Sequence, residues 1–336
     1  MAFRQPTYEE FMHNVSRVFL DEFRKLDGPR AVLNLWSDTL RLNYNSLDLL
    51  IVAILVVLWT LFRTCITAKF KAFAKFSGLA KRETAKAPEC MWKLLISIIF
   101  WTSTATLVLG KYDLFTDPSN CVRGWHPDLI IPFDVYCVYA LQVSFYVHSI
   151  YASLSLDEWR SDTPVLLTHH AVSILLLALS FLCKYFHLGL LVLFCHDLSD
   201  VFLEATKLAV YYKTKGGRWF TAGEIVSTAG FIMLAITWFV YRLYWFPLKA
   251  IYASTYIAVQ LHPDLPPFSL FLNCLLMILL FMHVYWFTLI LRIVYDVTTG
   301  KSREINDIRE SDGNEVKSMQ NGSNHALITK KKTKKL

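Results

Sequence analysis

The stretch SLDLLIVAILVVLWTLF, residues 46–62, decides the fold, because it carries a single charge, Asp48, and is typical of a transmembrane helix. A second stretch, LLISIIFWTSTATLVLG at 94–110, carries no charge at all. Of the 336 residues, 54% are hydrophobic and 15% aromatic, which is more than a soluble domain averages. The first forty residues are polar and mixed in charge, so no cleavable signal peptide is expected. These features predict an all-α polytopic membrane protein.

We predict a bundle of about seven transmembrane helices with an intramembrane polar cavity, and six or eight spans are alternative parsings. The weakest boundary is the short segment CKYFH, residues 183–187. The predicted spans are 46–63, 93–110, 130–151, 163–183, 186–211, 221–244 and 268–294. They divide the chain into an N-terminal segment (1–45), a first span with a basic connection (46–92), a membrane domain (93–297) and a tail that is disordered by composition (298–336).

Basic residues predict the orientation of the spans. The connection at 63–93 carries eight Lys or Arg against two Glu, whereas the next connection, around 111–129, carries only Lys111 and Arg123. The positive-inside rule then places the N-terminus in the lumen and the C-terminus in the cytosol. The net charge of +7 is distributed over the membrane flanks and the tail rather than one domain, so no nucleic-acid partner is expected.

Polar residues follow an apolar run in FCHDLSDVFLEATK, residues 194–207. On a helix, Asp197, Asp200, Glu204 and Lys207 fall on one side and His196 borders that side. A carboxylate that faces lipid costs roughly 3 kcal/mol at the centre of the bilayer. We therefore expect this polar side to face the interior of the bundle.

A second polar set precedes it in TPVLLTHHAVSILLL, where His169 and His170 lie roughly 10–12 Å along an apolar helix. The depth matches that of Asp197 and Asp200, so the four residues are predicted to form one catalytic site. Two histidines beside carboxylates suit proton transfer or nucleophilic catalysis. A purely structural role in helix–helix hydrogen bonding is the alternative. No Ser or Cys lies in a GxSxG motif, so a histidine would act as the base or as the nucleophile.

These residues carry a family resemblance. The stretches SFYVHSIYASLSLDEWRSD, LLTHHAVSILLL, GLLVLFCHDLSDVFLEATKLAVYYK and YRLYWFPLKAIYAST resemble the ceramide synthases, the Lag1 branch of the TRAM–Lag1–CLN8 (TLC) domain family. The first connection is too short for a homeobox-like insert, and this resembles the type-one branch, whose preference is for stearoyl-CoA. The resemblance implies N-acylation of sphinganine or sphingosine by a long-chain acyl-CoA, giving dihydroceramide or ceramide. It also implies that 93–297 is the catalytic domain.

Further residue roles follow from this reading. A basic rim of Arg160, Lys213, Lys215 and Arg218 is predicted to attract the CoA polyanion, although such residues also mark topology. Residues expected to contact substrate within the membrane are His148, His196, Glu204 and Lys207. The family element linked to acyl length corresponds to a connection at 244–257, beginning with Tyr244, Trp245, Phe246, Pro247, Leu248 and Lys249.

Targeting signals agree with an endoplasmic reticulum membrane. Asn14 starts a glycosylation sequon on the predicted lumenal side, and Lys332 and Lys334 resemble a cytosolic dilysine retrieval signal. No cofactor or metal is expected, and the family allows a homodimer or a heterodimer with related synthases. The ten histidines lack the HxxxH and HxxHH clusters of a membrane di-iron oxygenase. A transporter or a lipid-sensing protein without enzymatic activity is the remaining alternative, and turnover would separate it from a synthase.

Overall fold

The computed structural model describes residues 3–25, 45–262 and 269–299, and within these residues it is helical with no strand. The α-helices are α1 Tyr8–Arg24, α2 Ser46–Phe76, α3 Lys81–Ala105, α4 Phe133–Ser155, α5 Thr163–Leu182, α6 Phe186–Lys213, α7 Arg218–Thr237, α8 Ala258–Leu261 and α9 Ser269–Thr298. A π-helical turn, Thr106–Lys111, continues α3, and a short 3-10 helix follows at Pro118–Cys121. Two π-helical stretches, Trp238–Ile251 and Ala253–Ile257, continue α7. We call these two stretches, together with Tyr252 between them, the π segment.

Among the residues that the structure describes, six helices are long and apolar enough to cross a membrane, which confirms the prediction of an all-α polytopic bundle. They are Ser46–Phe76, Lys81–Lys111, Thr163–Leu182, Phe186–Lys213, Trp219–Leu261 and Ser269–Thr298. The remaining predicted span corresponds to α4, which has 23 residues but is not among the six. Its composition explains the difference, because Gln142, Ser144 and His148 lower its hydropathy while lying buried inside the bundle.

The structure corrects two predicted boundaries. The basic connection after the first span is mostly helix, because α2 runs on to Phe76 and α3 begins at Lys81. Lysine and alanine are good helix formers, so both helices continue beyond their apolar parts. The stretch at 244–257, which we expected to connect two spans, is also helical and belongs to the π segment.

Short connections gather at two opposite ends of the bundle. At one end, which we call the basic end, Tyr212 donates a hydrogen bond to the Ser77 hydroxyl at 3.2 Å and Lys215 donates to the Ser77 carbonyl at 2.5 Å. At the other end, the α1 end, the Trp125 indole donates to the Cys183 carbonyl at 3.0 Å. Alternate connections therefore share an end, as the predicted order of spans requires.

Helix α6 forms the centre of the bundle, with 61% of its most apolar stretch buried, against 6% for α2. Small residues let α7 approach α6 closely. A Cβ atom on Gly223 would lie 2.8 Å from the Lys213 Cα, and one on Gly230 would lie 2.5 Å from the Thr206 hydroxyl. Close backbone approach through small residues is the usual basis of helix association in lipid. This contact fixes α7 against the face of α6 that carries Thr206 and Lys213.

Helix α2 lies at the periphery and is anchored by polar contacts. The Trp59 indole donates to the Ser144 hydroxyl at 3.0 Å, and the Thr60 hydroxyl lies 3.0 Å from His148 Nδ1. Arg63 pairs with a carboxylate, that of Asp157. Apolar contact with a neighbouring helix gains little over contact with lipid, so such polar contacts hold α2 in place.

All seven cysteines are free thiols. Two of them, Cys121 and Cys183, lie at the α1 end outside the spans. Burial raises the pKa of Cys121 well above its usual value and raises the pKa of Cys183 to about 12. Both thiols therefore stay protonated near neutral pH and are weak nucleophiles.

Candidate active site

A cavity of about 550 Å³ opens inside the bundle between the basic end and the middle of the membrane. All four residues predicted to be catalytic line it: His169, His170, Asp197 and Asp200. Five of the predicted substrate-binding residues line it too, namely His148, His196, Glu204, Lys207 and Arg160. Helices α5 and α6 thus present their polar residues to one shared space. This common cavity is the candidate active site.

The histidine pair lies on α5 with its rings close together. The ring centroids of His169 and His170 are 5.6 Å apart, and the ring of Tyr146 lies 5.6 Å from that of His170. Trp286 of α9 meets His169 edge to face at 5.4 Å. Both histidines have a buried Nδ1 atom without a hydrogen-bond partner in the described part of the chain. Neither Nδ1 atom is therefore held by a hydrogen bond to another described residue.

His196 is held differently, by its own helix. Its Nδ1 atom lies 2.5 Å from the Val192 carbonyl, so we assign the ring proton to Nδ1 and a lone pair to Nε2. The ring stacks at 6.5 Å on His169 and packs at 4.4 Å against His283 of α9. His283 is fully buried, and neither of its ring nitrogens has a partner among the described residues.

The two aspartates have different neighbours. Arg242 of the π segment donates to Asp200 Oδ1 at 2.7 Å and to the His196 carbonyl at 2.7 Å. Asp197 instead accepts from the Gln142 amide at 3.0 Å, and no cation contacts it within the residues that the structure describes. The charge of Asp200 is therefore compensated by protein, whereas Asp197 remains able to bind a cationic group.

The mouth of the cavity carries a network of ion pairs. Lys93 lies between Glu89 and Asp157, with nitrogen–oxygen distances of 2.6 and 3.1 Å. Arg160 also reaches Glu89 at 3.4 Å, and Arg63 pairs with Asp157. Deeper along α6, Lys207 pairs with Glu204 on the same helix. Most cations here are matched by carboxylates.

Two further residues of the predicted basic rim, Lys213 and Lys215, lie outside the lining of this cavity. Lys213 pairs with Glu224 of α7, and Lys215 lies 5.0 Å above the ring of Trp219. The Arg218 side chain is outside the described residues. These lysines tie α6 and α7 together at the basic end.

The predicted acyl-length residues Tyr244 to Lys249 lie in the π segment, and none of the six lines the cavity. One of them, Phe246, contacts a residue of the site, because its ring meets the His196 ring edge to face at 5.0 Å. Lys249 points to the α1 end, where it donates to the Phe115 carbonyl at 2.8 Å. The π segment thus contacts both the site and the far end of the bundle.

A second, smaller cavity of about 60 Å³ adjoins the first on the side of the α1 end. Both cavities share Tyr146 and His196 in their lining. Its other walls are mostly apolar and include Leu176, Leu188, Leu193, Leu272, Leu276 and Leu279. Ser254 of the π segment also lines it. An apolar extension behind a polar site suits a hydrocarbon chain.

Several residues of this site were not predicted from the sequence. They are Arg242, His283, Gln142, Trp286, Glu89 and Lys93. The signal for Arg242 and His283 was present, because an ionisable residue inside an apolar span indicates a functional or paired position. Trp286 gives no such signal, since tryptophan is enriched at membrane interfaces, and Gln142 carries no ionisable group.

Of the predicted targeting residues, the structure describes Asn14, which is not in the lining of either cavity. Asn14 is in the middle of α1, where its amide donates to the Tyr252 hydroxyl at 3.1 Å. Its glycosylation stays a prediction. Lys332 and Lys334 lie outside the described residues.

Comparison with known proteins gives the family. The TLC domain model matches residues 86–292. Ceramide synthase 1 of Homo sapiens is 41% identical over 275 residues, which cover 81% of this chain and 78% of that protein. The chain belongs to the ceramide synthase family. Within that family, ceramide synthase 1 of Mus musculus is also 41% identical, covering 79% of this chain and 76% of the mouse protein. Ceramide synthase LOH1 of Arabidopsis thaliana is 28% identical over 67% of this chain and 72% of its own length.

Proposed function

We propose that this protein is a sphingoid base N-acyltransferase that joins a long-chain acyl-CoA, with stearoyl-CoA preferred, to sphinganine or sphingosine. The observation that carries the proposal is the cavity lined by His169, His170, Asp197 and Asp200 inside a chain of the ceramide synthase family. The products are dihydroceramide and ceramide. We place the enzyme in the endoplasmic reticulum membrane, with the basic end in the cytosol where CoA is found.

The sphingoid amine reaches the site as an ammonium ion and must lose a proton before it attacks the thioester. Asp197 is the anion suited to hold that ammonium, because no protein cation contacts it in the described structure. His169 or His170, both of which line the same cavity, then removes the proton through a ring nitrogen. Removal of a proton by a positioned base contributes typically a hundredfold to ten-thousandfold.

Acyl transfer then follows one of two routes. In direct attack, the amine nitrogen bonds to the acyl carbon and the carbon–sulfur bond breaks. The histidine passes its proton to the CoA thiolate and then takes the second proton from the nitrogen, which leaves a neutral amide, CoA thiol and one proton for release to water. In the covalent route, an imidazole nitrogen first takes the acyl group and CoA leaves as the thiol, after which the amine displaces the imidazole. The routes differ in one observable, since only the covalent route releases CoA before any sphingoid base is added.

The test is turnover by purified protein in detergent or vesicles. Sphinganine and a panel of acyl-CoAs of 14 to 26 carbons, about the range of membrane lipids, should give N-acyl product with a maximum near 18 carbons. The covalent route predicts up to one equivalent of CoA and an acylated histidine peptide without sphinganine. A protein that binds both substrates and makes no amide product would contradict the proposal.

A further inference from the structure

The N-terminal helix α1 packs against the outer face of the π segment, and the inner face of the same segment lines the apolar cavity. We propose that α1 is a specificity-determining element, which positions the π segment and so sets the acyl-chain length that the cavity accepts. The inference rests on the proposed function and deepens it. It assigns a role to a helix outside the residues that the TLC domain model matches.

Helix α1 is well defined by its own sequence. The Thr7 hydroxyl accepts from the Glu10 backbone N–H at 3.2 Å, and the Glu10 carboxylate accepts from the Thr7 N–H at 2.8 Å. This reciprocal pair is a capping box, which fixes the first turn of a helix. Arg4 adds an ion pair to Glu10 at 3.1 Å. Such a helix is suited to hold a neighbour in one position.

Apolar residues seat α1 on the bundle. Phe11 and Val15 are 3% and 4% exposed and belong to the same buried cluster as Ile251 and Tyr252 of the π segment. The opposite side of α1 is open, with Met12 62% exposed. One face of α1 is therefore committed to the π segment.

Two polar contacts fix the register of this packing. The Tyr8 hydroxyl donates to the Leu243 carbonyl at 2.6 Å. The Asn14 amide donates to the Tyr252 hydroxyl at 3.1 Å. Together the contacts hold the π segment at positions about two turns apart.

The inner face of the same turns meets the proposed acyl site. Ser254, two residues after Tyr252, lines the apolar cavity, and Asn273 of α9 donates to the Ser254 carbonyl at 3.3 Å. Phe246 follows Leu243, the residue that Tyr8 contacts, by three positions, and its ring contacts that of His196. A small displacement of the π segment by α1 therefore moves a wall of the acyl site. One methylene group that fits or fails to fit an apolar pocket changes selectivity by tenfold or more.

The test is the chain-length profile of the full-length protein carrying Tyr8→Phe, Asn14→Leu or both. The matched controls are Met12→Ala on the exposed face and Ser16→Ala, which removes the glycosylation sequon but keeps Asn14. We expect the ratio of kcat/KM for 18-carbon acyl-CoA to that for 16- or 20-carbon acyl-CoA to change at least threefold in the double variant. Both controls should keep the profile of the unsubstituted protein.

Three results would overturn the inference. The first is an unchanged ratio in the double variant. The second is an equal loss of activity at every chain length, which would indicate a merely structural role. The third is the same shift with Ser16→Ala, which would assign the effect to a glycan.

A second measurement tests the packing of α1 on the π segment and does not depend on enzymatic activity. Hydrogen exchange should become faster at residues 243–257 in the double variant. It should stay unchanged in the first turns of α3, which begin at Lys81. Unchanged exchange at 243–257 would contradict the docking itself. A protein without amide product for any acyl-CoA would refute the proposed function, and the exchange result would still decide whether α1 holds the π segment.

Discussion

Arg242 connects the π segment to the candidate catalytic residues. Its guanidinium donates to Asp200 and to the His196 carbonyl and lies 4.0 Å from the centre of the Trp238 ring. Only 4% of its side chain is exposed, whereas 44% of the Asp200 side chain is open, and this open part faces the cavity. Arg242 is thus a positioning residue, which orients Asp200 and compensates its charge.

Replacement of Arg242 by Gln should therefore leave Asp200 charged and unpaired. We expect a loss of about 2 kcal/mol of stability, less than the roughly 3–5 kcal/mol of a fully buried pair because Asp200 is partly open. Turnover should fall as well. The thermal midpoint of the double variant Arg242→Gln/Asp200→Asn should recover most of this loss. Equal stabilities for the single and double variants would show that the pair carries no coupling.

Replacement of His170 by Ala tests the proposed base. The variant should lose at least a hundredfold in turnover and remain folded in the membrane, since the ring makes no hydrogen bond through its Nδ1 atom in the described structure. Ile236→Ala, on the lipid-facing side of α7, serves as the matched control because Ile236 is 50% exposed. Near-normal turnover of His170→Ala would refute the assignment of His170.

At the scale of the element, the π segment is the unusual part of this bundle. Runs of π-helix are rare and occur mostly at functional sites. Here the segment presents Arg242 and Phe246 to the site, Ser254 to the apolar cavity, and Lys249 to the α1 end. One element therefore contacts the candidate catalytic residues, the apolar cavity and the α1 end.

Exchange of residues 244–257 for the corresponding stretch of a relative that uses very long chains should shift the product profile toward longer acyl chains. The physical reason is that these residues form or support the wall at the far end of the apolar cavity. Exchange of the equally long stretch 45–58, at the start of α2, is the control, because none of those residues lines either cavity and the anchoring residues Trp59 and Thr60 stay unchanged. Product profiles by mass spectrometry would decide, and an unchanged profile would place the selectivity elsewhere.

At the scale of the whole molecule, the cavity opens toward one end and its apolar extension points toward the other. An 18-carbon chain is roughly 20 Å long, within a hydrocarbon core of about 30 Å. An acyl group whose thioester lies among the histidines can therefore extend toward the α1 end without leaving the membrane. The bundle therefore separates the polar mouth of the first cavity from the apolar lining of the second.

The proposed orientation makes a direct prediction for sealed microsomes. A tag at the C-terminus should be digested by added protease, and a tag at the N-terminus should be protected until detergent is added. Basic flanks at the cytosolic side are the physical reason. Glycosidase sensitivity that disappears with Ser16→Ala would place Asn14 in the lumen independently. Protection of the C-terminal tag would reverse the orientation and place the cavity mouth away from cytosolic CoA.

The sequence by itself determined the helical spans, the polar side of α6 and the His169–His170 pair. Each of these depends on neighbouring residues: a span is a run of apolar side chains, and a polar side repeats with the period of one helix. The capping box at Thr7 and Glu10 was readable by the same local reasoning, although we did not predict α1.

Tertiary structure alone decided which distant residues meet. Arg242 reaches Asp200 across 42 positions of sequence, and Tyr8 reaches Leu243 across 235. His283 meets His196 only because α9 crosses α6 at that depth. Such contacts depend on how helices cross, which small residues, π-helical turns and a proline determine together, and no periodicity within one helix records them.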